Sequence, residues 1–422
     1  MAEKYQPHRL TYELIKGIPE PTIKVMADWV GGILSAVDEG KPIVYNQFTF
    51  WADSMVAMDL QALVPEFWPI AGRVAEALAA LGGAAEGAEP EPEYAVLDAA
   101  EALGVPPEVC VAGRAVIGAL LLDTMPPPSM IVVPSYPCDN TKAAYQVIAQ
   151  ISGAPMYLLD CPYWMDEEGA MEYWVNQYKG LISFMEEHSG KKLDYDRLKE
   201  VAEESNRYID YWLEAEELMK MKPLPQNGPF PVPEILTKIG LPIATEAVKA
   251  RLDALKARVA NGETAVPEEK VRVVWNYLPV LWDMELFNWM AAEFGAVIPT
   301  AMTSWSWMFA EPIDISTPES IIRGMARRAV NSYMGRQGRG AADIWIEDTL
   351  NAFEQWQGDC IVVHGALGCK WLRGSYGYLR DICRQRGIPV TLFDCDIGDR
   401  RVVPQEEVHA RIGEFLETVI AR

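Results

Sequence analysis

Two stretches of the chain alternate short, β-branched apolar runs with helical segments, and this alternation restricts the fold more than any other feature. MIVVPS (130–135) is followed by a helical segment from about Lys142 to Ser152 and then by APMYLLD (154–160). The alternation returns with VRVVWNYLP (271–279), AVIPTAMT (296–303), CIVVHGA (360–366) and PVTLFD (389–394). Runs this apolar suit strands covered on both faces by helices, so the expected class is α/β with parallel sheets. At 422 residues the chain exceeds what one hydrophobic core usually serves. The patterning divides it into a helical N-terminal region (1–95), a first α/β lobe (96–184), a helical segment (185–265) and a second α/β lobe (266–422).

Residues 1–80 read as helices, with apolar stripes in TIKVMADWVGGILSAV (22–37) and AGRVAEALAAL (71–81). GGAAEGAEPEPE (82–93) reads as an exposed loop and PLPQNGPFPVPE (223–234) as a linker. Val248, Leu252, Leu255 and Val259 share one helix face and predict a packing stripe. In STPES (316–320), Thr317 is placed to cap a helix with Pro318 in its first position. A last amphipathic helix is expected over EEVHARIGEFLETVI (406–420).

The net charge of -23 opposes association with nucleic acid. No run approaches the roughly 18–20 apolar residues of a membrane span, and the N-terminal sequence lacks a secretory pattern. A cytoplasmic protein is expected, and disulfides are rare there. The seven cysteines (110, 138, 161, 360, 369, 383 and 395) are then thiols, packing residues or metal ligands. Their long spacings contain no compact zinc motif. No GxGxxG opens either α/β unit, which argues against a dinucleotide-binding enzyme.

In open α/β sheets ligands bind beyond the carboxyl ends of the strands. Cys138, Cys161, Cys369 and Cys395 all fall just past predicted strands, and Cys110 lies in the first turn of a helix that opens after PPE (106–108). Cys138 and Cys369 each directly precede a helix, whose N-terminal partial charge favours an anionic thiolate. Cys360 starts a strand at the opposite edge and Cys383 lies inside a helix, so these two read as packing residues.

Several segments together carry a family resemblance. They are PPEVCVAGRAVIG (106–118), TMPPPSMIVVPSYPCDNTKAAYQVIAQISGAPMYLLDCPYW (124–164), MEEHSGKKLDYDRLKEVAEESNRYIDYW (185–212) and EFGAVIPTAMTSW (293–305). The closing unit, 360–417, is the closest, with its GCK turn, its GIPV strand start and an acidic D-x-x-D-x-R loop. In their order and spacing these resemble the 2-hydroxyacyl-CoA dehydratase and benzoyl-CoA reductase family.

The resemblance implies two Rossmann-like lobes with additional helical segments, and one 4Fe–4S cluster per chain held by Cys110, Cys138 and Cys369. Three thiolates leave one iron with an exchangeable position, as a catalytic site requires. The implied chemistry is loss of water from a 2-hydroxyacyl-CoA through a ketyl radical. It needs a low-potential electron from an ATP-hydrolysing iron–sulfur activase. A related partner subunit is implied as well. The alternative within the family is a reductase of the benzoyl-CoA reductase type, or one carrying a double-cubane cluster with additional cysteines. Cys161 and Cys395 are the surplus cysteines for that, although the flanking Pro162, Asp394 and Asp396 favour a single cubane.

His364 and Lys370 flank the Cys369 turn. They are candidates for binding the thioester oxygen or the CoA phosphates, against structural roles. WSWMF (305–309) fits core packing better than a pocket wall. The family's substrate side corresponds to NQFTFWADSMVAMDLQALVP (46–65), where Asp53 is the nearest carboxylate and no catalytic base is assigned.

Overall fold

The computed structural model describes residues 19–68, 94–228, 237–283, 285–305 and 309–422. Among these described residues eight strands form two sheets. β1 (Ile43–Asn46), β2 (Gln61–Leu63), β3 (Met130–Pro134) and β4 (Met156–Leu159) make a parallel sheet in the order β2-β1-β3-β4. β5 (Val271–Trp275), β6 (Ala296–Ala301), β7 (Cys360–Ala366) and β8 (Val390–Cys395) make a second, in the order β6-β5-β7-β8. Numbered within each lobe, both orders read 2-1-3-4. A chain without a visible sequence repeat thus builds one topology twice.

The reading of residues 1–80 as helices needs correction, because IVYN and QAL form β1 and β2, half of the first sheet. Strands of four and three residues are too short to show a periodicity. The stripe at 22–37 does lie in a helix, Glu20–Glu39. The apolar stripe at 71–81, the loop at 82–93 and much of the Pro-rich linker fall outside the described residues.

Side chains alternate faces along a strand, and the cores follow from that. Ile131, Val133, Val274, Ile361 and Val363 point into one core shared by the two sheets. Met130 and Val132 serve a second core on the far side of the first sheet, and Val273 and Val362 a third beyond the second sheet. The helix Pro242–Ala260 buries Val248, Leu252 and Leu255 in the shared core, as the stripe predicts, while Val259 in its last turn is only half-buried. Thr317 closes a capping box with Ser320, with Pro318 opening the helix Pro318–Val330.

One carboxyl sits poorly in this packing. Glu216, in the helix Tyr195–Leu218, is 3% exposed, and neither of its oxygens has a hydrogen-bond partner among the described residues. Burial pushes its pKa up to about 8, against the opposing charges of Lys220 and Arg251. The unfolded chain releases this proton near pH 4.5, whereas the folded protein holds it to about 8, so stability falls as pH rises through that window. Glu216→Gln is expected to remove that loss and raise the midpoint of thermal unfolding at pH 8 by several degrees, about 1–3 kcal/mol. Equal pH dependence of unfolding in the two proteins between pH 5 and 8 would contradict this.

Candidate functional site

In each sheet the strand order reverses once, between β1 and β3 and between β5 and β7. The crevice at the carboxyl ends of such strands is where open α/β sheets bind ligands. Cys138 follows β3 and caps the helix Asp139–Ser152; Cys369 follows β7 and caps the helix Lys370–Arg386. The two cysteines therefore occupy equivalent places in the two lobes. Cys110 is itself the residue before the helix Val111–Leu121, rather than part of its first turn as the sequence suggested. A turn closed by the Val109 amide on the Pro106 carbonyl, 3.0 Å, displaces the helix start. Each of the three thiols thus stands at the positive end of a helix.

Two contacts join these three chain segments. A Cβ on Gly368 would lie 2.5 Å from the Cys110 Cα and 2.6 Å from its backbone nitrogen, so only a residue without a side chain lets the Cys369 turn lie on Cys110. Asn140, two residues after Cys138, donates from its side-chain amide to the Gly368 carbonyl. Burial pushes the Cys110 thiol up, and the charges of Cys138 and Cys369 add to the effect. Burial and Cys138 push Cys369 up to about 12. The Gly368 contact and the Asn140 bond bring the three cysteine-bearing segments to one place in the fold.

Among the described residues no three His, Cys, Asp or Glu side chains close on a single metal ion. A cubane makes a different demand, because each thiolate binds a different iron at a different corner. Three thiols gathered at three helix ends, Cys369 buried and Cys110 and Cys138 half-buried, suit such a group.

Tyr277 belongs to the same space. It follows β5 at the second switch point and is buried, its ring against His364. Burial raises its pKa well above the ordinary value, and Cys369 and Cys110 raise it further. Sequence reading passed over Tyr277; its position just past a predicted strand was the available signal.

The D-x-x-D-x-R loop holds Cys110 from the other side. Arg114, fully buried one turn into the Cys110 helix, pairs with Glu101 at 2.8 Å and with Asp399 at 3.4 Å, and donates to the Val109 carbonyl at 3.1 Å. Arg401 pairs with Asp98, Glu101 and Asp399, each at 2.8 Å. Burial alone would raise the Asp399 carboxyl, but Arg401 and Arg114 hold it below the usual range.

The other sequence candidates have different surroundings. His364 lies within β7, not at its end. It is buried, with Nε2 2.6 Å from the Leu278 carbonyl oxygen and the rings of Trp275, Tyr277 and Phe393 around it. Burial lowers its pKa to about 4, so it is a neutral core histidine at pH 7. Lys370 is exposed at the start of its helix. Cys161 is half-buried and its thiol lies 3.6 Å from the Pro162 carbonyl oxygen; Cys395 ends β8 and donates to the Asp396 carbonyl at 3.3 Å. Cys360 and Cys383 are buried packing residues. Asp53 is buried, accepts from Ser205 at 3.0 Å, and has its pKa raised by burial. Of WSWMF, residues 306–308 lie outside the described residues, while Phe309 stacks under the Arg336 guanidinium at 3.9 Å.

A second carboxyl at the first sheet went unnoticed in the sequence. Glu66 follows β2 and accepts from the Tyr145 hydroxyl at 2.7 Å, while its other oxygen is enclosed without a partner among the described residues. Burial pushes its pKa up to about 7.

The profile of the 2-hydroxyglutaryl-CoA dehydratase, D-component, family matches residues 75–419. The chain belongs to this family of enzyme subunits. Among characterised members it is similar to the (R)-phenyllactyl-CoA dehydratase alpha subunit of Clostridium sporogenes, 25% identical over 76% of this chain and 80% of that protein. It is 26% identical to the (R)-2-hydroxyglutaryl-CoA dehydratase alpha subunit of Acidaminococcus fermentans, over 71% of this chain and 62% of that one. A benzoyl-CoA reductase subunit of Thauera aromatica is 22% identical over 76% of this chain and 78% of its own length. The D-component profile spans both sheets except β1 and β2, and includes all seven cysteines. No described helix is long and apolar enough to cross a membrane.

Proposed function

We propose that this D-component protein is the iron–sulfur subunit of an ATP-activated, oxygen-sensitive 2-hydroxyacyl-CoA dehydratase. The observation that carries the reading is the meeting of the segments that carry Cys110, Cys138 and Cys369, each directly before a helix, with the Cys369 turn packed on Cys110 at Gly368 and bonded to Asn140 of the Cys138 helix. In this proposal the three thiolates hold a 4Fe–4S cluster, one per chain. When bound, such a cluster supplies a low-potential electron at a position open to substrate. The chain's own groups do the rest. Glu66, with a pKa of about 7, is suited to carry a proton at neutral pH. Two relatives named as acyl-CoA dehydratase alpha subunits support the substrate class.

A related partner subunit, a separate activase and a cytoplasmic, anaerobic setting complete the proposal. The reductase alternative draws on the likeness to the benzoyl-CoA reductase of Thauera aromatica. For a double cubane, Cys161 and Cys395 would have to turn from the Pro162 and Asp396 carbonyls they now bond.

Anaerobic purification with iron and sulfide analysis tests the proposal. About four irons per chain are expected, and about eight would favour the double-cubane reductase. Turnover is expected to need ATP, a reductant and the activase, and to fade in air. Full activity in air without ATP would refute the radical dehydratase.

A further inference from the structure

One buried carboxyl lies in a loop beside the cysteine site and has no role so far. Asp396 follows β8 directly, beside the turn that carries Cys369: the Leu367 amide donates to the Cys395 carbonyl at 3.1 Å, and the Cys369 amide to Ala366 at 2.9 Å. Two residues later Gly398 packs on Val111, the neighbour of Cys110, where a Cβ would approach its side chain to 3.2 Å. The Asp396 loop therefore lies between the Cys369 turn and the start of the Cys110 helix.

The side chain is 1% exposed. Its Oδ1 accepts from the backbone amides of Gly398 and Asp399, both at 2.9 Å. Its Oδ2 is enclosed and without a partner among the described residues, which is uncommon for a buried carboxyl and asks for an explanation. The neighbouring carboxylates differ. Asp394 is exposed and paired with Arg373 at 3.0 Å, and Asp399 is neutralised by Arg114 and Arg401. The charge on Asp396 reaches both Cys110 and Cys369 and raises their thiols, in keeping with this placement.

We propose that Asp396 is an oxygen donor of the cysteine site, its free Oδ2 serving the corner that three thiolates leave without a sulfur ligand. The inference rests on the reading above that Cys110, Cys138 and Cys369 hold a cluster. Two backbone amides fix Oδ1, so the carboxylate is oriented in advance and does not need to be recruited. A carboxylate oxygen is a harder and weaker partner for cluster iron than a thiolate. It can therefore guard the open corner and still yield to the oxygen of an incoming substrate, which a fourth cysteine would not do.

The test uses the full chain reconstituted anaerobically with ferrous iron and sulfide, as wild type, Asp396→Asn, Asp396→Cys and Asp394→Asn. Asparagine retains the Oδ1 acceptor, so the turn over Gly398 and Asp399 survives and only Oδ2 is replaced. Iron and sulfide content, the Mössbauer spectrum and the rate of iron release to a chelator are read. Wild type is expected to show one iron distinct from the thiolate-bound three. In Asp396→Asn that iron's signature should shift, and one iron per cluster should be lost about ten- to a hundredfold faster. Asp396→Cys should slow the release, and Asp394→Asn should match wild type. Wild-type spectrum and release rate in Asp396→Asn, with full iron content, would overturn the proposal and leave a buried water as the partner of Oδ2. Failure of the wild-type chain to take up iron and sulfide at all would instead overturn the three-cysteine reading beneath it.

Discussion

Alanine at Cys138 or Cys369 is expected to abolish both the brown iron–sulfur chromophore and activity, the largest effect any single side chain should have. Each thiolate would bind a separate corner of a cubane, so losing one exposes that iron to solvent and the remaining two do not retain the cluster. Cys110→Ala should behave in the same way, since the Cys369 turn packs directly on Cys110. Cys383→Ala is the control. That side chain is buried in the shared core, so the variant should lose about 1 kcal/mol of stability and keep its iron. Iron analysis and visible spectra on anaerobically prepared proteins decide the matter. Equal iron loss from the Cys383 and Cys369 variants would refute the ligand assignment.

Gly368→Ala is expected to be nearly as damaging to the site, although no ligand is touched. Its new methyl would lie 2.5 Å from the Cys110 Cα and 2.7 Å from the Val109 carbonyl carbon, both backbone atoms that cannot rotate away. The Cys369 turn must then lift from Cys110, and the Asn140 bond to the Gly368 carbonyl is strained with it. Overpacking of this kind costs about 1–3 kcal/mol, which a protein of this size should survive folded. The expected result is a cooperative melt at reduced temperature together with at least about tenfold weaker iron retention. Gly374→Ala, in the helix that follows, meets no atom within 4 Å and should keep its iron and gain up to about 1 kcal/mol of helix stability. Wild-type iron retention in Gly368→Ala would show that contact between these two segments does not set the site.

Both variants bear on what was legible in the sequence. Six of the eight strands were readable, because β3 to β8 are apolar runs bounded by turns and helices. β1 and β2 were not, since three or four residues between helices carry no period of their own and become strands only by pairing with β3 and with each other. Cys138 and Cys369 could be placed at strand ends before helices from local pattern alone. The helix boundary at Cys110 came out one residue early, because the Pro106 turn is a matter of backbone closure.

Sequence by itself therefore determined the class, the parallel strands, the capped helix at Thr317 and the edge at which ligands should bind. These are local properties: hydrophobic period, turn residues and caps act over a few positions. Tertiary structure decided which side chains meet. Arg114 and Asp399 are 285 residues apart in the chain, and Asn140 and Gly368 are 228 apart. It also buried His364 in the core against Tyr277, and set the Asp396 loop beside the Cys369 turn. The reason is physical: both sheets reverse strand order at their centres, so loops distant in sequence leave the strands side by side, and only packing fixes which of their side chains share a space.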